Sequence, residues 1–315
     1  MIITPKLFSQ LMNKMNVSGK MVVGLSGGAD SLCLTLLLNE YCHNNIFACI
    51  VDHKLRPTSS TEIIPIIDIL ERKNINYCVK IWKHDKITGN LEQKARIARY
   101  DLLHEYCNNV KADVLCTAHH ALDQWETFFM RLSRGSGLRG LSAIHPITNF
   151  RNIKILRPLL AFSPQDLKET LLQRFGIDKY VHDEMNDDEH YERVRWRKAY
   201  LMFKNYELTT ASINATIRRL NNANSCLDDI AERLVSECFN GNYLELKTFC
   251  HQPLELQIRI LNGIVQKFTP RIMSYELLER MANEIIKPKF SAINFAKLIF
   301  RKDRTKNIKI FPENR

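Results

Sequence analysis

Over about its first 200 residues the chain alternates short apolar runs with longer stretches of helical spacing. Met21–Leu25 (MVVGL), Ile46–Val51 (IFACIV), Tyr77–Ile81 (YCVKI) and Asp113–Thr117 (DVLCT) predict buried strands. Between and after them, Ser31–Tyr41, Glu62–Lys73, Leu91–Cys107 and Asp123–Ser133 carry helical periodicity. Strand alternating with helix predicts an α/β fold, a parallel sheet covered on both faces. One later helix is delimited by its ends: Ser163, Pro164 and Asp166 supply a cap, a first-turn proline and a capping box, and Gly176 the stop. Past Tyr200 strand-like runs nearly vanish, and helical spacing dominates over Ile217–Phe239 and Ser274–Ile286. The expected organisation is a larger α/β domain over 1–204 and a smaller, mostly helical domain over 205–315.

Composition agrees with a soluble globular protein: 315 residues, 45% hydrophobic and 25% charged. No apolar run approaches the roughly 18–20 residues that span a bilayer, so no membrane partner is expected. The first residues, Met1 to Lys20, have no apolar core or cleavage site of a secretory signal, which makes a cytoplasmic location the expectation. Nine cysteines include no C-x-x-C pair, and free thiols in a reducing compartment are expected. The net charge of +11 and pI near 9.2 favour a polyanionic partner. Lys287 to Lys309, which includes Lys297, Arg301 and Lys302, holds eight Lys/Arg against one acid. It reads as either a solvated tail or a polyanion-binding surface. The oligomeric state is left open, a homodimer included.

The richest segment is V-V-G-L-S-G-G-A-D-S, Val22–Ser31. Ser26, Gly27, Gly28, Ala29, Asp30 and Ser31 form a glycine turn between an apolar strand and an apolar helix. Backbone N–H groups at such a helix start suit a phosphate. Asp30 beside a phosphate calls for a bridging cation, and Mg²⁺ is the usual one. The lysine of a P-loop and the G-x-G-x-x-G of a dinucleotide fold are both absent. A second cluster, His119, Asp123 and Glu126, follows the fourth strand. Asp123 and Glu126 share a helical face and suit an ammonium group or proton transfer, or they merely complement the helix dipole. Arg96 and Arg99 suit bidentate anion contacts or a plain surface face. His53, Lys54 and Arg56 follow the second strand at the ligand edge. Arg131, Arg134 and Arg139, with Gly135, Gly137 and Gly140, make a basic loop suited to folding over a phosphate, or simply a mobile loop. Arg193, Arg195 and Arg197 alternate as on a strand or extended segment, and their ligand is left open. Trp125 and Trp196 are candidate base platforms or core.

S-G-G-A-D-S resembles the signature of the PP-loop ATP pyrophosphatases. V-D-H-K-L-R-P (Val51–Pro57), N-L-E-Q-K-A-R-I-A-R-Y (Asn90–Tyr100), T-A-H-H-A-L-D-Q-W-E-T (Thr117–Thr127), R-L-S-R-G-S-G-L-R-G-L (Arg131–Leu141), I-L-R-P-L (Ile155–Leu159) and R-V-R-W-R (Arg193–Arg197) resemble, in order, segments of the tRNA(Ile)-lysidine synthetases. The resemblance implies that ATP, with Mg²⁺, adenylates the C2 oxygen of the wobble cytidine of a tRNA(Ile) with a CAU anticodon. L-lysine then displaces AMP. It implies ATP contacts from Ser26 to Ser31, His53 and Arg56, and catalytic roles for Asp30, His119, Asp123 and Glu126. Arg96, Arg99, Arg193 and Arg197 would contact lysine or phosphate. Arg131, Arg134, Arg139, Lys297, Arg301 and Lys302 would contact tRNA. Four departures stand out: Leu122 for the first of two aspartates, Lys54 for a glycine, Val194 for an asparagine, and Asp183-Glu-Met-Asn186 for D-x-S-N. The alternatives are a cytidine-thiolase type of PP-loop enzyme and a non-catalytic RNA-binding protein.

Overall fold

The computed structural model describes residues 1–42, 45–54, 59–84, 89–181, 190, 192–269, 273–305 and 307–313. Arg56, His182 and the Asp183–Asn186 segment lie outside the described residues. The chain divides into two compact units, Met1–Arg218 and Arg219–Arg315. The division falls inside a helix, beyond the 204/205 boundary expected from the change of pattern.

The first unit runs α1 (Pro5–Met15), β1 (Met21–Leu25), α2 (Ala29–Tyr41), β2 (Ile46–Asp52), α3 (Ser59–Glu62), α4 (Ile64–Arg72), β3 (Asn76–Ile81), α5 (Leu91–Val110), β4 (Val114–Cys116), α6 (Ala121–Leu132), α7 (Leu138–Leu141), β5 (Ile147–Phe150), β6 (Ile153–Leu156), α8 (Pro164–Phe175) and α9 (Glu192–Lys204). Its six-stranded sheet has the order β3-β2-β1-β4-β6-β5, parallel except for the β5–β6 hairpin. The α/β expectation holds, and all four predicted strands are present. Successive side chains of a strand face opposite sides. Val23 accordingly joins the core under α1, α2, α4 and α8, while Val22 packs with Leu103 and Cys107 of α5. α2 is buried from Leu32 to Leu38 on every side, as an interior helix must be. The Ser163 cap, the Asp166 capping box and the left-handed Gly176 bound α8 where the sequence places them.

α10 (Thr210–Cys238) passes from the first unit into the second. The second continues with β7 (Phe239–Asn240), β8 (Tyr243–Leu244), α11 (Leu246–Cys250), α12 (Leu254–Phe268), α13 (Tyr275–Ile285), β9 (Ala292–Phe295), β10 (Leu298–Lys302) and β11 (Ile308–Pro312). Helices carry most of this unit, but strand structure does not vanish. A five-stranded antiparallel sheet, order β7-β8-β11-β10-β9, packs Leu298, Phe300, Ile308 and Ile310 into the core with α12 and α13. The basic run from Lys287 is therefore no solvated tail. Among the described residues Arg301 and Lys309 take outward strand positions and Lys297 and Arg304 take turns, which hides the period-two alternation in a charge count. Among the described residues no helix is long and apolar enough to cross a membrane.

Candidate active site

β1 and β4 are neighbours whose connections leave in opposite directions, the point at which open α/β sheets hold ligands beyond the strand ends. A cleft of about 520 Å³ lies there, lined from β1, β2, α2, α5, α6 and α9. Its floor is the turn after β1. Gly27 adopts φ +86°, and a Cβ there would stand 2.9 Å from Val181 Cγ2. Val181 closes over the turn, its N–H donating to the Gly27 carbonyl at 3.0 Å. The Ser26 N–H donates to Ser31 Oγ at 3.2 Å, and Ser31 Oγ donates to the Gly28 carbonyl at 3.0 Å. The turn is thus held rigid, with the first turn of α2 behind it.

His119 and His120 end the fourth strand segment, and they behave differently. His120 caps α6: its N–H donates to Asp123 Oδ2 at 2.9 Å, and the Asp123 N–H donates to His120 Nδ1 at 3.3 Å. The other ring nitrogen, Nε2, stands 3.5 Å from Asp30 Oδ2. One buried imidazole therefore joins the phosphate turn to the acidic cluster. The motif reading passes over His120, although a polar residue three before Asp123 is the signal of a capped helix start. His119 shares a hydrogen bond of 2.9 Å with Thr117 Oγ1, and burial pushes its imidazole down to about 3.

Asp123 and Glu126 stand on one face of α6, as their spacing requires, and face two arginines of α9. Arg193 Nε donates to Glu126 Oε2 at 3.2 Å and Arg193 Nη2 to Asp123 Oδ1 at 3.4 Å. Arg197 Nε donates to Glu126 Oε1 at 2.7 Å. Glu126 is 0% exposed. Burial and then the neighbouring Asp123 raise its pKa. Burial opposes ionisation of Asp123 as well, but His120, Arg193 and His119 outweigh it and hold that carboxyl well below the usual range. Two adjacent carboxylates thus have their proton affinities pushed apart, the arrangement that separates an acid–base group from a permanent anion.

The arginines are helical, not extended as their alternation predicts. Arg193 and Arg197, four apart on α9, reach one carboxylate, and Arg195 donates instead to the His190 carbonyl. Aromatic packing fixes α9: Trp125 is fully buried, its Nε1–H donates to the Leu208 carbonyl, and its ring meets Phe129, Tyr200 and Phe203 at 4.3–5.9 Å. Trp196 stacks on Phe129. Both tryptophans pack between helices.

On the opposite wall, Arg96 and Arg99 flank the Tyr100 ring at 5.1 and 5.7 Å and line the cleft. His53 and Lys54 also line it. Arg131 donates to the Gly140 and Ala143 carbonyls, closing its own loop. Arg134 pairs with Glu192, and Arg139 is exposed. Arg301 and Lys302 belong to β10 of the second unit's sheet, and Lys297 to the turn between β9 and β10.

The neutral His119 sets a pH test. The unfolded imidazole takes a proton near 6.5, the folded one only near 3, so between these values the unfolded chain binds more protons. Stability falls as pH drops below about 6.5, by up to ~1.4 kcal/mol per unit from this group. His119→Gln is expected to flatten the melting-temperature slope between about pH 6.5 and 5. An unchanged slope would contradict the buried neutral ring.

A family model for the PP-loop domain matches residues 3–202. The tRNA(Ile)-lysidine synthase of Novosphingobium aromaticivorans is 33% identical over 268 residues, covering 84% of this chain and 76% of that protein. The chain belongs to the tRNA(Ile)-lysidine synthase family of PP-loop proteins. The same-named proteins of Wolbachia sp. subsp. Brugia malayi and Orientia tsutsugamushi are 33% and 40% identical over 266 and 181 residues. They match 81% and 56% of this chain, which spans only 61% and 40% of their lengths. Among solved structures, the U34-tRNA thiolase of Methanococcus maripaludis shares the fold, with TM-score 0.54 and 22% identity over 68% of this chain and 78% of that one.

Two departures from the family pattern acquire structural readings. Lys54, where the family segment has glycine, keeps the left-handed backbone at φ +51°. Buried Asp52 holds it there, accepting from the Lys54 N–H at 2.9 Å and pairing with its Nζ at 3.2 Å. Leu122 is half-buried and is not among the residues that line the cleft.

Proposed function

We propose that this chain is an ATP-dependent carbon–nitrogen ligase that joins L-lysine to C2 of the wobble cytidine of a tRNA(Ile) with a CAU anticodon. The product, lysidine, would change codon reading from AUG to AUA and charging from Met to Ile. The supporting observation is that Asp30 of the phosphate-type turn and Asp123 line one cleft and are linked through His120, with buried Glu126 on the same helical face as Asp123 and held with it by Arg193.

In the first step the cytidine C2 oxygen attacks the α-phosphorus of ATP, and pyrophosphate leaves. The Ser26–Ser31 turn and the start of α2 present N–H donors to the phosphates, whose charge governs the barrier. Asp30 fits a Mg²⁺ ion: Oδ1 is buried and accepts no hydrogen bond, and Mg²⁺ takes one or two carboxylates together with phosphate and water. Bound there, Mg²⁺ would neutralise phosphate charge. His53 and Lys54 stand at the β2 side of the cleft for the nucleotide, and Arg96 and Arg99 supply cations for phosphate or the lysine carboxylate.

In the second step the ε-amine of lysine attacks C2, and AMP leaves with the C2 oxygen. The amine arrives protonated and must lose a proton. Asp123, held ionised, suits the ammonium. Glu126, with its raised proton affinity, suits proton acceptance. Arg193 and Arg197 now neutralise both carboxylates, so ammonium entry requires at least one guanidinium to turn toward phosphate or the lysine carboxylate. His119 would donate or accept as a neutral ring.

The first unit would be the catalytic domain and the second the tRNA-binding accessory domain, with Arg134, Arg139, Lys297, Arg301 and Lys302 toward RNA phosphate. Burial pushes the Cys33, Cys49 and Cys107 thiols up to about 12, which leaves the thiolase alternative without a ready thiolate among them.

The test uses purified full chain, Mg²⁺, ATP, labelled lysine and tRNA(Ile) transcripts. Lysine should enter the CAU transcript and not one with the wobble cytidine replaced. Incorporation into both would remove the assignment. Asp30→Asn should keep the fold and lower AMP formation by roughly a hundredfold or more, because the phosphate-side carboxylate is lost. Wild-type AMP formation by that variant would remove Asp30 from the reaction.

A further inference from the structure

Of the outer face of the second unit's sheet, only Arg301 is used by the proposed function, as a contact to RNA phosphate. Strand register assembles that face: Lys309 pairs with Tyr243 on β8 and with Arg301 on β10, and Phe311 pairs with Ile299. Tyr243 is 41% exposed, and Arg301 and Lys309 are exposed. Lys309 Nζ stands 5.6 Å from the Tyr243 ring, and the Arg301 guanidinium 5.5 Å from the Phe311 ring. Two cations interleave with two aromatic rings, exposed Tyr243 and half-buried Phe311, on the outward side of the strands.

The arrangement carries an unfavourable element. Arg301 and Lys309 are like charges directly opposite each other, which destabilises an antiparallel pair. A polyanion crossing the face would relieve that repulsion. The acids nearby lie at the ends of the strands. Glu313 accepts from Asn294 at one end, and Asp303 is engaged by Thr305 and Asn307 in the β10–β11 turn at the other. Tyr243 and Phe311 are diagonal neighbours, about 7–8 Å apart by strand geometry, enough to take two splayed bases.

We propose that this face binds a single-stranded segment of RNA, with bases stacked on Tyr243 and Phe311 and phosphates on Lys309 and Arg301. Stacking on exposed sheet aromatics between basic residues is how single strands are held without base-specific hydrogen bonds. The choice of RNA rests on the functional reading above.

The test is binding of a fluorescently labelled, unstructured ten-nucleotide RNA to the full chain over a salt series. Tyr243→Ala and Phe311→Ala should each weaken binding about five- to 150-fold, the range for loss of one base stack. Tyr243→Phe and Phe311→Tyr should retain it. Lys309→Ala should reduce the salt slope by about 0.7. Melting temperatures check that the exposed-site variants fold. Unchanged affinity in both alanine variants would overturn the proposal, as would duplex RNA bound as tightly as the single strand. The readout needs no ATP or lysine. A chain that binds through these rings yet transfers no lysine keeps the platform and loses the ligase reading.

Discussion

Glu126→Gln is expected to abolish lysine transfer while ATP binding stays within about twofold of wild type. Loss of a positioned acid–base group typically costs 10²–10⁴-fold in rate, and the same change weakens the grip on the ammonium. ATP affinity is spared because the phosphate turn is held by its own hydrogen bonds, Ser26 to Ser31 and Val181 to Gly27. Arg193 and Arg197 lose a charged partner, but both are partly exposed. The stability cost is therefore expected near 1–2 kcal/mol, below that of a fully buried broken pair. Calorimetric ATP titration and a lysine-incorporation assay on the same preparation read both effects. Wild-type lysine transfer by the variant would remove Glu126 from the reaction.

Gly27→Ala is expected to destroy the nucleotide turn. The backbone conformation at φ +86° is strained for any residue with a Cβ, at roughly 1–3 kcal/mol. The new methyl would also press on Val181 at 2.9 Å and on Ile66 Cγ1 at 3.4 Å. Val181 is β-branched and tied by its backbone to Gly27 itself, so it gives way poorly. A total of about 2–4 kcal/mol follows, with loss of measurable ATP binding. A variant with unchanged melting temperature and ATP affinity would show that the turn is not the nucleotide cradle.

The sheet, its helices and the phosphate turn are legible in the sequence because their signals are local. Apolar runs mark β1 to β4, and Gly27 and Gly28 mark the turn. The three-residue spacing of Asp123 and Glu126 is enough to put them on one helical face. What they pair with is set by tertiary packing: Arg193 and Arg197 lie about 70 residues downstream. Their alternation suggests a strand, yet α9 forms because Trp196, Tyr200 and Phe203 find Trp125 and Phe129. His120 hides beside His119 because two adjacent histidines look alike until one caps a helix. The sheet of the second unit is obscured because β7 and β8 are only two residues long, and β10 and β11 carry Arg301 and Lys309 at outward positions.

The most direct test of the proposed reaction follows one oxygen atom. A tRNA(Ile) substrate with ¹⁸O at O2 of the wobble cytidine is incubated with the full chain, Mg²⁺, ATP and lysine, and the AMP released is weighed by mass spectrometry. Attack of that oxygen on the α-phosphorus, followed by displacement at C2 by the lysine amine, predicts AMP carrying one ¹⁸O for each lysine incorporated. Unlabelled AMP alongside lysine incorporation would contradict the adenylated-cytidine route and with it the joint use of the phosphate turn and the Asp123–Glu126 pair.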